Sequence, residues 1–219
     1  MTLRSILHAI VVVTVLVSAG MNPSEAADNP QQLKAACKKG AATACASLGW
    51  MYLVGDGVKL DPIQAARLYR KACDGRELLA CFMLASLYRE GMGVDQDHVQ
   101  AVALFTKACD GGVAVGCNDL GVMYEQGIGV QRDPLEAVKF YRKGCDGGMT
   151  LGCNNLGSMY ARGMGVDQDH IQAVALFMKA CEDGVARGCS NLGVMYEQGS
   201  GVKQDTAEAL KYYGKACDL

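Results

Sequence analysis

Eleven cysteines carry most of the chemistry open to this chain of 219 residues. They are Cys37, Cys45, Cys73, Cys81, Cys109, Cys117, Cys145, Cys153, Cys181, Cys189 and Cys217, and the gaps between them alternate between 8 and 28. Zinc sites set paired cysteines about two to four residues apart; the C-x7-C spacing here favours disulfides over metal. Other reactive constellations are sparse. Ser200-Gly201-Val202-Lys203 is the one Ser-x-x-Lys in the chain, but the Ser-Asp-Asn and Lys-Thr-Gly elements that would complete an acyl-transfer site are missing. His98 and His170 hold the same place two repeats apart, which is roughly 20 Å if stacked helices are ~10 Å wide. That is too far to share one metal. Asp95-Gln96-Asp97 and Asp167-Gln168-Asp169 resemble fragments of calcium loops whose remainder is absent, so they read as turn and cap residues. The sequence assigns no catalytic residue, no metal site and no cofactor.

The elements that must hold these cysteines repeat with them. The period is 36 residues, with units starting at Cys37, Cys73, Cys109, Cys145 and Cys181 and a partial sixth from Cys217, and no insertion is needed. A period in this range marks a solenoid. Units two and four share GMGVDQDH-x-QAVALF-x-KAC, and units three and five share VMYEQG-x-GV, so the array is a duplicated pair of units. Each unit reads as two helices. Helix A spans about Ala42 to Val54 in the first unit, with Leu48, Met51 and Tyr52 on one face. Gly55, Gly91, Gly127, Gly163 and Gly199 follow it, suited to the left-handed conformation that ends a helix. Helix B starts at an aspartate N-cap with Gln or Glu three residues on: Asp61/Gln64, Asp97/Gln100, Asp133/Glu136, Asp169/Gln172 and Asp205/Glu208. No segment alternates with period two, so no sheet is expected.

Each cysteine at a helix B end precedes by eight residues a cysteine near the next helix A start. Antiparallel helices joined by a tight turn bring such residues within the ~6 Å a disulfide requires. The pairing expected is Cys37–Cys45, Cys73–Cys81, Cys109–Cys117, Cys145–Cys153 and Cys181–Cys189. Each bridge closes a short loop and contributes about 2.5 kcal/mol in the chain-entropy model. Cys217 is a free thiol, either the remnant of a truncated unit or a donor to an intermolecular disulfide.

The amino terminus carries Arg4 and then a short apolar run from Ile6 to Val17, well below the ~20 residues of a spanning helix. Ser24-Glu25-Ala26 offers small residues at the cleavage positions. Residues 1–26 are expected to be a signal peptide, with Ala19 the alternative end and an uncleaved anchor the alternative role. The organisation expected is a lead-in over 27–36 and the repeat array over 37–219. The mature chain then has no stable membrane span and lies in the periplasm or outside the cell, where cysteines oxidise. With 21 basic and 23 acidic residues the formal charge is −2, which excludes a basic nucleic-acid footprint.

The unit L-G-x-M-Y-x-x-G-x-G-V, seen from Leu120-Gly121 and Leu192-Gly193 and continuing through Tyr, Lys-Ala-Cys-Asp and Gly, resembles the Sel-one-like repeat, a relative of the tetratricopeptide repeat. The added C-x7-C resembles the Helicobacter-type cysteine-rich proteins. The likeness covers nearly all of 37–217. Departures are Ala85 for the helix A glycine and Gly144 for the helix B alanine. The resemblance implies an all-α, right-handed α-solenoid of five disulfide-stapled helix-turn-helix repeats that acts as an exported interaction module. It also brings a second class, a β-lactam-binding protein or weak β-lactamase, with a β-lactam or peptidoglycan-like ligand. The residues themselves supply no β-lactamase motif.

Positions repeated in every unit serve packing, and positions that vary on one face are free to meet a partner. On helix A these include Trp50, then Phe82, Met83 and Arg89, then Asn118 and Asp119, then Asn154, Asn155 and Arg162, then Asn191. They are expected to line the concave side: an apolar, aromatic end at Trp50, Phe82 and Met83, and amides farther along to grip the backbone of a protein or peptide partner. The plainer alternative is that Trp50 seals the first unit and the asparagines are solvated.

Overall fold

The computed structural model describes residues 29–219. The expected signal peptide, 1–26, lies outside the described residues. Among the described residues there are eleven helices and no strand: α1 (Pro30–Lys38), α2 (Ala42–Val54), α3 (Pro62–Asp74), α4 (Leu78–Glu90), α5 (His98–Asp110), α6 (Ala114–Gln126), α7 (Pro134–Asp146), α8 (Thr150–Arg162), α9 (His170–Glu182), α10 (Ala186–Gln198) and α11 (Thr206–Asp218). The even-numbered helices α2 to α10 are the A helices, and the odd-numbered α3 to α11 are the B helices. Each helix packs on its neighbours in sequence, and the A helices α6 and α8 also touch each other. The result is an all-α solenoid.

Local chemistry explains the boundaries. Every B helix starts at its aspartate. Asp61 accepts a hydrogen bond from the Gln64 N–H at 3.0 Å and Asp97 from the Gln100 N–H at 2.9 Å. Asp133, Asp169 and Asp205 do the same for Glu136, Gln172 and Glu208. Such a cap satisfies a backbone donor the helix cannot satisfy itself. The A helices have no side-chain cap. What anchors their first turns is covalent. The five disulfides join the last turn of one helix to the first turn of the next A helix, with Cα separations of 4.5 to 4.7 Å.

Two glycines per interhelix turn have different jobs. Gly91 ends α4 with φ of 68°, where a side chain would be strained. Gly93 permits stacking: a Cβ there would lie 2.2 Å from the Pro62 carbonyl oxygen of the preceding unit. Lysines also tie units together, as Lys107 Nζ donates to the Cys73 carbonyl at 2.9 Å, a cation at the C-terminal end of the previous B helix.

The segment expected as a lead-in is largely helical. Asn29 caps α1 by accepting from the Gln31 N–H at 2.9 Å, with Pro30 in its first turn. This helix stands where a B helix of a preceding unit would stand. It covers the first A helix and brings Cys37 to Cys45.

Candidate functional site

The A helices of units three, four and five, with Tyr141 of the B helix α7, form a polar groove of about 400 Å³, lined by Val122, Glu125, Gln126, Tyr141, Asn154, Asn155, Ser158, Arg162, Arg187 and Asn191. One wall is a small network. The Tyr141 hydroxyl donates to Glu125 Oε2 at 2.6 Å, and Arg162 Nη2 pairs with Glu125 Oε1 at 3.2 Å. Arg162 Nε also donates to the Ser158 carbonyl at 3.1 Å. Burial, reinforced by the hydrogen bond to Glu125, pushes the Tyr141 hydroxyl well above its usual pKa. The pairing recurs two units on, where the Tyr213 hydroxyl donates to Glu197 at 2.9 Å. In the first unit the partner is missing. Leu53 stands at the glutamate position, and the Tyr69 hydroxyl is buried with no hydrogen-bond partner.

Beside this wall the expected binding residues form a continuous polar seam. Arg89 Nη1 donates to Asp119 Oδ2 at 2.8 Å, and Asn118 Nδ2 donates to Asp119 Oδ1 at 3.2 Å. Asn155 Nδ2 donates to Asn118 Oδ1 at 2.9 Å, Asn154 Nδ2 to Asn155 Oδ1 at 3.4 Å, and Asn191 Nδ2 to Asn154 Oδ1 at 2.9 Å. The direction follows from one residue. The Asp119 carboxylate, paired with Arg89, accepts from Asn118, so Asn118 turns its NH₂ toward it and its oxygen toward Asn155. The same logic passes along each amide to Asn191, whose own oxygen is left at the far end. Bonds aligned head to tail polarise one another. The seam ties units two, three, four and five together along their A helices.

This arrangement corrects the sequence expectation at several residues. Phe82 and Met83 are 3% and 4% exposed, packed in the core, with the Phe82 ring 5.7 Å from that of Phe105. They offer no open aromatic pocket; two apolar side chains were drawn into the core between neighbouring helices. Asn118 and Asn154 are also buried, at 5% and 4% exposure, and their amides are spent on the seam. Arg89 and Asp119 are an ion pair, and the Arg89 guanidinium also lies over the Phe105 ring. Trp50 is half-buried against the first core cluster. Asn155, Arg162 and Asn191 stand with Asn154 in the groove lining, and Asn155 and Asn191 are also members of the seam. Tyr141 and Arg187 were missed. An aromatic recurs at the Tyr141 place in every unit, which is the mark of a packing position. Arg187 did carry a signal, since Thr43, Leu79, Val115 and Leu151 occupy the equivalent places.

The remaining chemical candidates stay apart. Ser200 and Lys203 lie in the turn after α10, and neither starts a helix. His98 and His170 each begin a B helix, but not as exposed side chains: both are half-buried, and their Nδ1 atoms are buried without a partner. Among the described residues no group of three or more His, Cys, Asp or Glu is placed to hold a metal ion, and no helix is long and apolar enough to cross a membrane. Cys217 is exposed and unpaired.

A solenoid of helix pairs stacked in sequence belongs to the tetratricopeptide-like class. Within that class the Sel1 repeat matches five times in succession, over residues 42–76, 78–113, 114–149, 150–185 and 186–219, and the chain belongs to the Sel1 repeat family. Proteins of this family are generally protein-interaction scaffolds. The matched frames run from helix A through helix B, so the repeat boundary falls between the two cysteines of each bridge.

Among solved structures, a protective antigen of uropathogenic Escherichia coli with an SLR fold is 35% identical, with a TM-score of 0.84 over 87% of this chain. This chain spans 41% of that antigen's length. A Sel1 repeat protein from Oxalobacter formigenes is 27% identical, with a TM-score of 0.81 over 86% of this chain and 79% of its own. Helicobacter pylori cysteine rich protein B is 34% identical over 63% of this chain and 99% of its own, with a TM-score of 0.49. No match was found among curated proteins.

Proposed function

We propose that this protein is an exported scaffold that binds a peptide or an extended segment of a partner protein in the polar groove of units three to five. The observation that carries the reading is the groove itself: about 400 Å³ of open space along three consecutive A helices, whose lining includes Ser158, Arg162 and Arg187 at places where the adjacent units carry other residues. Packing does not demand that variety. Groove polarity suits a peptide backbone, whose N–H and C=O groups keep hydrogen-bond partners when they leave water. The disulfides hold the junctions on either side of the groove, so little conformational entropy is lost on binding. They also suit a protein that works in an oxidising compartment.

The test is a selection of binders from a random peptide library against the oxidised protein, followed by mapping of backbone amide shifts. Binders should perturb Asn155, Ser158, Arg162 and Asn191. Perturbations gathered on the opposite side, around Leu135, Lys139 and Arg142, would refute the groove.

A further inference from the structure

Arg187 has no structural task. Apolar or small residues serve at its place in the other four units, so stacking does not require a guanidinium. The side chain is exposed, and it faces the groove. Nor do the neighbouring charges neutralise it. Glu125, the acidic residue of the groove lining, gives one oxygen to Tyr141 and the other to Arg162. The groove therefore holds two arginines against one carboxylate that is already engaged on both oxygens. The seam adds a further constraint. Its direction leaves the Asn191 side-chain oxygen at the end of the chain of amides, four residues from Arg187 on the same face of α10. A cation and a hydrogen-bond acceptor thus stand side by side, with Arg162 lining the same groove.

We propose that this end of the groove binds a carboxylate carried by a peptide. Arg187 and Arg162 hold the carboxylate oxygens, and Asn191 Oδ1 accepts an adjacent N–H. This rests on the groove reading above and names the chemistry of its occupant. Guanidinium groups match carboxylates with paired, charge-assisted N–H donors. An acidic side chain and a free chain terminus both supply a carboxylate; the terminus also places an amide N–H directly beside it.

The oxidised, isotope-labelled protein is titrated with three probes while the Arg Nε–Hε and Asn side-chain NH₂ signals are followed by NMR. N-acetylalanine offers a terminal carboxylate, N-acetylglutamate α-amide a side-chain carboxylate, and N-acetylglutamine α-amide neither. At least one carboxylate probe should shift Arg187, Arg162 and Asn191 saturably, roughly tenfold more tightly than the neutral probe. The tighter of the two carboxylates identifies the source. Arg187→Leu, which copies Leu79 and Leu151 and so should keep the fold, should remove that preference. Equal affinity for the neutral probe would overturn the carboxylate while leaving the groove standing. Shifts at Arg142, which lies outside the groove lining, as large as those at Arg187 would show unspecific charge attraction and overturn it too. Silence from all three probes also rejects the carboxylate, and the groove is then judged by the peptide selection alone.

Discussion

Removing one oxygen atom should have opposite effects at two equivalent positions. Tyr69 and Tyr141 occupy the same place in units one and three, and Phe105 and Phe177 stand there in units two and four, so the site accepts phenylalanine. The Tyr69 hydroxyl is buried without a partner, and the residue is 2% exposed. A buried, unsatisfied polar group costs about 1–3 kcal/mol. Tyr69→Phe should therefore raise stability by about 1 kcal/mol, the lower bound being chosen because the ring leaves a small void where the oxygen was. The Tyr141 hydroxyl donates to a carboxylate at 2.6 Å, and a hydrogen bond to a charged group contributes about 1.5–3 kcal/mol. Tyr141→Phe should lower stability by about 2 kcal/mol and loosen Glu125. The assay is amide hydrogen exchange on the oxidised protein, read at the core amides of α3 and α7, because a solenoid need not unfold as one unit. Equal destabilisation by both substitutions would refute the claim that the Tyr69 hydroxyl is orphaned.

Two further outcomes concern the buried tyrosines and the bridges. Burial holds the Tyr69 and Tyr141 hydroxyls protonated above the usual tyrosine range. The folded state then keeps protons that the unfolded state loses, so stability should be intact below about pH 10 and fall as pH rises past it. Denaturation of a Cys217→Ser variant, chosen to suppress thiol exchange, checks this; a flat profile to pH 12, expressed as roughly two units past the ordinary tyrosine value, argues against it. Replacing Cys109 and Cys117 together with alanine removes the bridge between α5 and α6. Loss of about 2.5 kcal/mol is expected, with enhanced exchange concentrated in the first turn of α6, which has no side-chain cap; a loss spread evenly over all units would contradict the local role of the bridge.

Much of the fold was legible along the chain because its causes are local. The aspartate caps, the glycines that end the A helices and the eight-residue cysteine spacing each act within one turn or one junction. Five copies repeated the same signals, and the helix ends fell where those signals stood. The lead-in helix α1 was legible as well, in Asn29-Pro30, but a single copy outside the array lacked the support of repetition.

The site was legible only in part. Variation among units identified the face that carries Asn155, Arg162 and Asn191. It did not separate residues that look outward from residues that bond to the next unit, because that depends on the distance between A-helix residues 37 positions apart. Phe82 and Met83 turned inward, and Asn118 and Asn154 were consumed by the seam, once neighbouring units closed over them. The sequence alone determined the helices, their junctions and the face that varies. Stacking decided which of those side chains bond to one another and which remain open to a partner, since hydrogen bonds and burial across units are set by packing that no short window of residues contains.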